Sequence, residues 1–329
     1  MSKEYPVVSI VAPMYNEGSN VQYFYERVSA VLQRLHLDYE IICVNDGSKD
    51  DTWNRLKQLS LQDTRIKAID LSRNFGKELA MTAGIDFSRG DIVIPIDADL
   101  QDPPELIPDM ITKWREGYDV VYATRIKREG ETRMKKLTAH LFYRTIRKMT
   151  QIDIPADTGD FRLMSRPVVD ALKQLKEHHR FMKGLFSWVG FKQTSIPYLR
   201  DSRHSGKSSF NFWKLWNFAI EGITSFTFAP LQLFTYFGVT VSLASFLYAI
   251  FMVIRTTLYG NPVPGYPSLM VAILFFSGVQ LMTLGIIGEY IGRIYNESKR
   301  RPLYLTREAV GMEEENQSKD YAQKLIKIK

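Results

Sequence analysis

The chain has 329 residues, of which 45% are hydrophobic and 12% aromatic, which excludes a disordered polymer and leaves room for one large domain with additions. Its net charge of +7 raises the question of nucleic acid. The basic residues, however, gather between about 125 and 148 and beside two apolar stretches, without an aromatic-interleaved nucleic-acid module, so anionic lipid head groups explain them more economically.

Val7 to Ala12 reads as a strand, and the first twelve residues carry that short pattern rather than a signal peptide. Asn20 to Leu35 reads as a helix, because Val21, Phe24, Val28, Val31 and Leu32 recur at helical spacing. Between them stands Pro13-Met14-Tyr15-Asn16-Glu17. A Gly-x-Gly-x-x-Gly would be needed there for a dinucleotide, so a dehydrogenase is not supported. Tyr39 to Val44 is a second strand. It contains the single cysteine, Cys43, which can form no intrachain disulfide and reads as core. The turn Asn45-Asp46-Gly47-Ser48 follows. Asp46 is placed to accept a hydrogen bond from a base or ribose, or else to cap the turn or the next helix. A helix from Asp51 or Thr52 to Gln62, a strand from Ile66 to Leu71, a helix from Lys77 to Phe87 and a strand from Asp91 to Ile96 come next. Leu106 to Glu116 is a helix and Asp119 to Thr124 a fifth strand. Alternation of this length predicts an α/β domain with a mainly parallel sheet and helices on both faces. The basic segment Arg125 to Lys136 has few apolar anchors and reads as a mobile loop.

Asp97-Ala98-Asp99 ends the fourth strand, where open α/β sheets hold ligands. Side chains at i and i+2 of an extended segment point to one side. Two carboxylates so close repel unless a cation compensates them. Oxygen ligation suits Mg²⁺ or Mn²⁺, which commonly bridge a nucleotide diphosphate. An Asp-x-Asp alone is short enough to be a solvated acidic turn.

From Gly222 to Ile254 and from Thr256 to Gly288 there is no charged residue, although the mean hydropathy of the whole chain is only −0.18. Each stretch exceeds the roughly 20 residues that cross a bilayer, so we expect spans at about 231–254 and 267–290. Arg200, Arg203, Lys207 and Lys214 precede the first, Arg293, Lys299, Arg300 and Arg301 follow the second, and only Arg255 lies between. Positive flanks favour the cytoplasmic side, so both termini and the N-terminal domain are expected there, in an inner-type membrane. Before the first span, Trp213, Trp216, Ile220 and Ile223 share a helical face, as in an amphipathic interface helix; packing against the catalytic domain is the plainer alternative. Gly288-x-x-x-Gly292 permits close helix contact and leaves a homo-oligomer open. The expected organisation is a catalytic domain over 1–208, interface helices over 209–228, a two-helix membrane region over 229–295 and a cytoplasmic tail over 296–329.

Four ordered runs carry a resemblance. They are Val11-Ala12-Pro13-Met14-Tyr15-Asn16-Glu17, Val44-Asn45-Asp46-Gly47-Ser48-Lys49-Asp50-Asp51-Thr52, Asp97-Ala98-Asp99-Leu100-Gln101-Asp102-Pro103-Pro104-Glu105 and Thr158-Gly159-Asp160-Phe161-Arg162-Leu163. Together they resemble glycosyltransferase family 2, and within it the polyisoprenyl-phosphate glycosyltransferases related to dolichol-phosphate mannose synthase. The resemblance covers roughly residues 5 to 300. It implies a GT-A, Rossmann-like fold, a nucleotide-sugar donor, a polyisoprenyl phosphate acceptor and inverting transfer. It further implies that Pro13, Tyr15, Glu17, Asp46 and Asp97 line the donor site. Asp99 would be the direct metal ligand, with Asp97 in its outer shell and Gln101 beside the diphosphate. Asp160 stands where inverting relatives often keep a base; an orienting role and the base role are both open, and a structural pairing with Arg162 is the plainer reading. Arg125 matches an arginine that meets the acceptor phosphate, Arg133 matches less closely, and Arg200, Arg203, Lys207 and Ser208 resemble a basic stretch before the membrane. There the chain departs from the family: relatives often carry Ser-Lys-Tyr after the glycine, whereas Lys207-Ser208-Ser209-Phe210 stands here. Similarity to bacterial glucosyl transferases favours UDP-glucose and undecaprenyl phosphate, ahead of GDP-mannose and other UDP-sugars. A processive polysaccharide synthase would resemble others in a Gln-x-x-Arg-Trp motif, which is absent, and a non-enzymatic membrane protein has no need of the acidic motif.

Overall fold

The computed structural model describes residues 7–125, 158–178, 180, 182–198, 229–259 and 265–312. The chain divides into two compact units, one carrying the sheet and the other two long helices.

In the first unit, β1 (Val8–Met14), β2 (Tyr39–Asn45), β3 (Ile66–Leu71) and β4 (Ile92–Pro95) form a parallel core in the order β4-β1-β2-β3. Their apolar runs are nearly continuous rather than alternating, as strands covered on both faces require. One face bears Ile10, Ala12, Ile41 and Cys43 with helix α1 (Val21–Arg34), whose Phe24, Val28 and Leu32 are buried. Burying each such side chain contributes about 1.5–3 kcal/mol. Burial also pushes the Cys43 thiol up to about 12, so it is an inert core residue. The opposite face bears Ile42, Val44, Ile69 and Leu71 against Ala80 and Ala83 of α3 (Lys77–Phe87). Gly84 lets this helix approach closely, since a Cβ there would lie 2.3 Å from Val11 Cγ1. Helices α2 (Thr52–Gln62) and α4 (Ile107–Arg115) complete the alternation. The predicted strand over 66–71 and helix over 77–87 coincide with the observed elements.

Beyond the core the sheet is mixed. Its order is β7-β5-β6-β4-β1-β2-β3-β8, with β5 (Val120–Arg125), β6 (Thr158–Ser165), β7 (Gln193–Tyr198) and β8 (Thr306–Val310). Strand β6 runs antiparallel between β4 and β5, and brings Asp160 to the same end of the sheet as Asp97. Helices α5 (Arg166–Gln174) and α6 (Met182–Trp188) follow it. Strand β8 pairs antiparallel with β3, so the catalytic sheet expected to end at 208 takes its edge strand from the segment expected to be a tail.

The second unit holds α7 (Ala229–Tyr259) and α8 (Tyr266–Ser298), of 31 and 33 residues. They contain the two expected spans and expose Leu243, Leu247, Phe251, Leu281, Leu284 and Ile291. Counted over the described residues alone, which leave out many side chains of both helices, no helix is long and apolar enough to cross a membrane. The expected interface helices over 209–228 and the mobile loop expected after Arg125 lie outside the described residues.

Candidate active site at the strand ends

The loops after β1, β2, β3 and β4 meet at the C-terminal end of the parallel core. The first two are stitched together by short polar side chains. Asn16 N–H donates to Ser48 Oγ at 2.9 Å, Lys49 N–H to Asn16 Oδ1 at 2.8 Å, Glu17 N–H to Thr52 Oγ1 at 3.0 Å and Gly18 N–H to Asp50 Oδ2 at 3.0 Å. Asn16 takes the left-handed conformation that asparagine tolerates (φ 55°). Tyr15 stands exposed beside it, Pro13 is half-buried in β1, and Glu17 accepts from Asn20 Nδ2 at 2.6 Å. Tyr15 and Glu17 thus lie on this stitched loop, and Pro13 in the strand that leads into it.

Asp46 is buried at 3% exposure. Its Oδ1 accepts the Phe75 N–H at 2.6 Å and its Oδ2 the Gly76 N–H at 2.9 Å. Burial raises its carboxyl above the usual range, although those two amides and Arg73 oppose the rise. Its protein partners are two amides just before α3, rather than the β2 turn or the helix that follows it, so as a cap Asp46 ties the β2 turn to the loop after β3. Gly47 lies in the left-handed region (φ 65°), and a Cβ on it would stand 2.5 Å from the Arg73 carbonyl carbon. Only glycine allows the two loops to touch there.

The acidic motif lies on the next loop. Leu100 has φ 49°, a conformation that costs a non-glycine residue on the order of 1 kcal/mol and recurs at functional sites. Gln101 N–H donates to Asp99 Oδ1 at 3.3 Å. Asp97 meets the ammonium of Lys77, which lies 2.7 Å from Oδ1 and 2.9 Å from Oδ2. The same ammonium lies 2.7 Å from Asp160 Oδ2. One cation thus bridges two carboxylates from β6 and the β4 loop. Burial alone would lower Lys77; Asp160 and Asp97 outweigh it and hold the amine well above the ordinary lysine range.

The carboxylates respond differently. Burial raises Asp97, and repulsion from Asp160 and Asp99 adds to the rise that Lys77 opposes. Burial also pushes Asp160 up, but Lys77, Lys183 and Arg162 outweigh it and hold this carboxyl below the usual range. Glu78, next to Lys77, is pushed up to about 8, first by burial and then by Asp160. Among the described residues, the buried Asp160 Oδ1 and Glu78 Oε2 have no hydrogen-bond partner. Arg162 donates to the Gly159 carbonyl at 2.9 Å and stacks over Phe186 at 3.9 Å, so the ion-pair partner observed for Asp160 is Lys77 and not Arg162. Sequence reasoning missed Lys77 and Glu78. Their one local signal was the Gly76-Lys77-Glu78 start of a helix after a strand.

Arg125 ends β5, in register with Tyr198 of β7. Arg133, Arg200, Arg203, Lys207 and Ser208 lie outside the described residues. Among the described residues no three His, Cys, Asp or Glu side chains cluster as a self-sufficient metal cage. Asp97 and Asp99 nevertheless offer hard oxygen donors on one loop, and Asp97 already faces a cation. Such a donor set fits a hard divalent ion whose remaining ligands come from phosphate oxygens and water.

Residues 9–173 match glycosyl transferase family 2, and residues 229–294 match the GtrB C-terminal hairpin, which coincides with α7 and α8. The chain is 57% identical to the uncharacterized glycosyltransferase sll0501 of Synechocystis, over 93% of this chain and 96% of that protein. It is 49% identical to the uncharacterized glycosyltransferase YkcC of Bacillus subtilis, over 95% and 97%. It is also 49% identical to the bactoprenol glucosyl transferase of Shigella phage SfV, over 91% of this chain and 97% of that one.

Proposed function

The chain belongs to glycosyl transferase family 2, and from that premise we propose that it transfers glucose from UDP-glucose to undecaprenyl phosphate, with inversion, at the cytoplasmic face of a membrane. One observation carries this reading: Asp97 and Asp160 converge on Lys77 beside Asp99, in a chain that matches a bactoprenol glucosyl transferase over nearly its whole length.

Pro13, Tyr15, Glu17 and Asp46 line the nucleoside side. Asp99, with Asp97 and Gln101, would hold Mg²⁺ or Mn²⁺. When bound, that ion neutralises charge on the departing diphosphate. The acceptor is a phosphate monoester, whose second pKa is about 6 by analogy with phosphoserine. It is mostly dianionic at neutral pH and already nucleophilic, so a strong base is unnecessary. Asp160 suits that demand, because a carboxylate held low by Lys77 takes up a proton poorly. It orients the site and leaves the attack to the lipid phosphate. Arg125, Arg133, Arg200, Arg203, Lys207 and Ser208 meet the acceptor phosphate through charge-assisted contacts.

Helices α7 and α8 form the membrane anchor. Residues 229–254 and 256–288 hold no charge, and 31 residues at helical rise extend about 46 Å, beyond the roughly 30 Å of a bilayer core. The basic flanks support a cytoplasmic catalytic unit.

The test is transfer by the purified full chain in detergent, with undecaprenyl phosphate and a panel of nucleotide sugars. The expected product is a glucosyl lipid from UDP-glucose, formed without polysaccharide primer. Preference for GDP-mannose or another UDP-sugar would change the donor and keep the reaction class. Absence of lipid-linked sugar with every donor would refute the reading.

A further inference from the structure

We propose that Arg307, on the strand that follows the helical hairpin, is a positioning residue of the donor site. The inference rests on the reading of the β1–β4 strand ends as a nucleotide-sugar site. Only seven residues, 299–305, separate α8 from β8. Strand β8 returns to β3 with Asp70 opposite Glu308 and Leu71 opposite Thr306. Arg307 is the extra residue of this bulge, and a bulge re-aims the side chain it carries.

That side chain grips the end of β3 and the loop that follows it. Arg307 Nη1 donates to Asp70 Oδ2 at 3.2 Å, and Nη2 to the Ser72 carbonyl at 2.7 Å. The Ser72 N–H in turn donates to the Leu305 carbonyl at 2.8 Å. Asp70 is buried at 1% exposure, and its other oxygen accepts from Asn45 Nδ2 at 2.7 Å. Asn45 Oδ1 accepts the Ser48 N–H at 3.3 Å. One branch therefore runs from Arg307 through Asp70 and Asn45 to the turn around Asp46. The other runs through Ser72 to the 72–76 loop, whose last two amides Asp46 grips. The branches close on each other where Gly47 touches Arg73. Removing the guanidinium leaves a buried carboxylate without its cation, and the arrangement that pins Asn45 and Ser72 relaxes.

Three variants of the full chain test this, by UDP calorimetry and by transfer kinetics with the donor titrated. Arg307→Ala should weaken UDP binding and raise the donor KM by about tenfold, while kcat at saturating donor and the acceptor KM stay within about twofold. Arg307→Lys should recover part of the affinity, because an ammonium keeps the charge on Asp70 but lacks the fork that also reaches Ser72. Glu308→Ala, on the same strand as Arg307, removes an ion pair with Lys57 of α2 (2.7 Å) and should leave UDP affinity unchanged. If Arg307→Ala does not fold, the lysine variant bears the comparison, and full wild-type affinity there overturns the proposal. Equal UDP affinity of Arg307→Ala and wild type overturns it, as does an equal loss in Glu308→Ala, which would make the effect one of strand stability. Failure of the wild-type chain itself to bind UDP would instead refute the donor reading, and this inference with it.

Discussion

Lys77→Met keeps the side-chain stem and deletes the ammonium between Asp97 and Asp160. The Asp97 side chain is 35% exposed and that of Asp160 13% exposed. Solvent screens the Asp97 contact, which contributes about 0–1 kcal/mol. The Asp160 contact is better buried, and losing a charged partner there costs about 2 kcal/mol, with Lys183 and Arg162 left to limit the loss. The expected destabilisation is thus about 2–3 kcal/mol, which lowers Tm by about 2–4 °C per kcal/mol in a domain of this size. The pH dependence follows from the directions of the shifts. In the wild type Asp160 is held below its ordinary value of 3.8, so its contribution is present above that value and is lost as pH falls through the depressed one. In the variant, burial and mutual repulsion raise Asp97 and Asp160 together. The folded variant then binds protons more tightly than the unfolded chain and loses stability as pH rises above 3.8. The gap between the two proteins should therefore widen as pH rises above 3.8 and narrow as pH falls towards it. Thermal unfolding of the detergent-solubilised full chain, without metal or nucleotide, measures it. Equal Tm at neutral pH, or a gap that does not change with pH, would refute the charge-bridge account.

Asp99→Ala should keep its fold and lose transfer by about a hundredfold or more, and undiminished turnover in metal-stripped buffer would remove Asp99 from the metal site. Glu78→Gln should match wild-type stability below about pH 4.5, gain on it as pH rises and level off above about 8, because the buried acid binds its proton more tightly folded than unfolded; a Tm difference independent of pH would contradict this. Arg125→Ala should raise the acceptor KM and spare UDP binding, with Arg125→Lys recovering part of the loss; the reverse pattern by calorimetry and kinetics would assign this arginine to the donor. Protease added to sealed right-side-out vesicles should leave the catalytic unit intact, and its digestion from outside would invert the topology.

The alternation of strand and helix was legible because buried parallel strands are continuously apolar and helices repeat at 3.6 residues. Val8–Met14 and Val21–Arg34 follow from those patterns. The acidic motif was legible too, since its carboxylates sit two residues apart at a strand end. Three features were not. The antiparallel insertion of β6 between β4 and β5 depends on pairing between distant segments, which leaves no local period. Lys77 lies 20 residues from Asp97 and 83 from Asp160, and only the fold makes it their common counter-ion. Thr306–Val310 is a short, charged edge strand without an apolar run, and its Arg307 meets Asp70 across 237 residues of sequence. Edge strands gain their partners from backbone hydrogen bonds and isolated ion pairs rather than from a buried face, so the sequence around them reads as loop until the sheet is assembled.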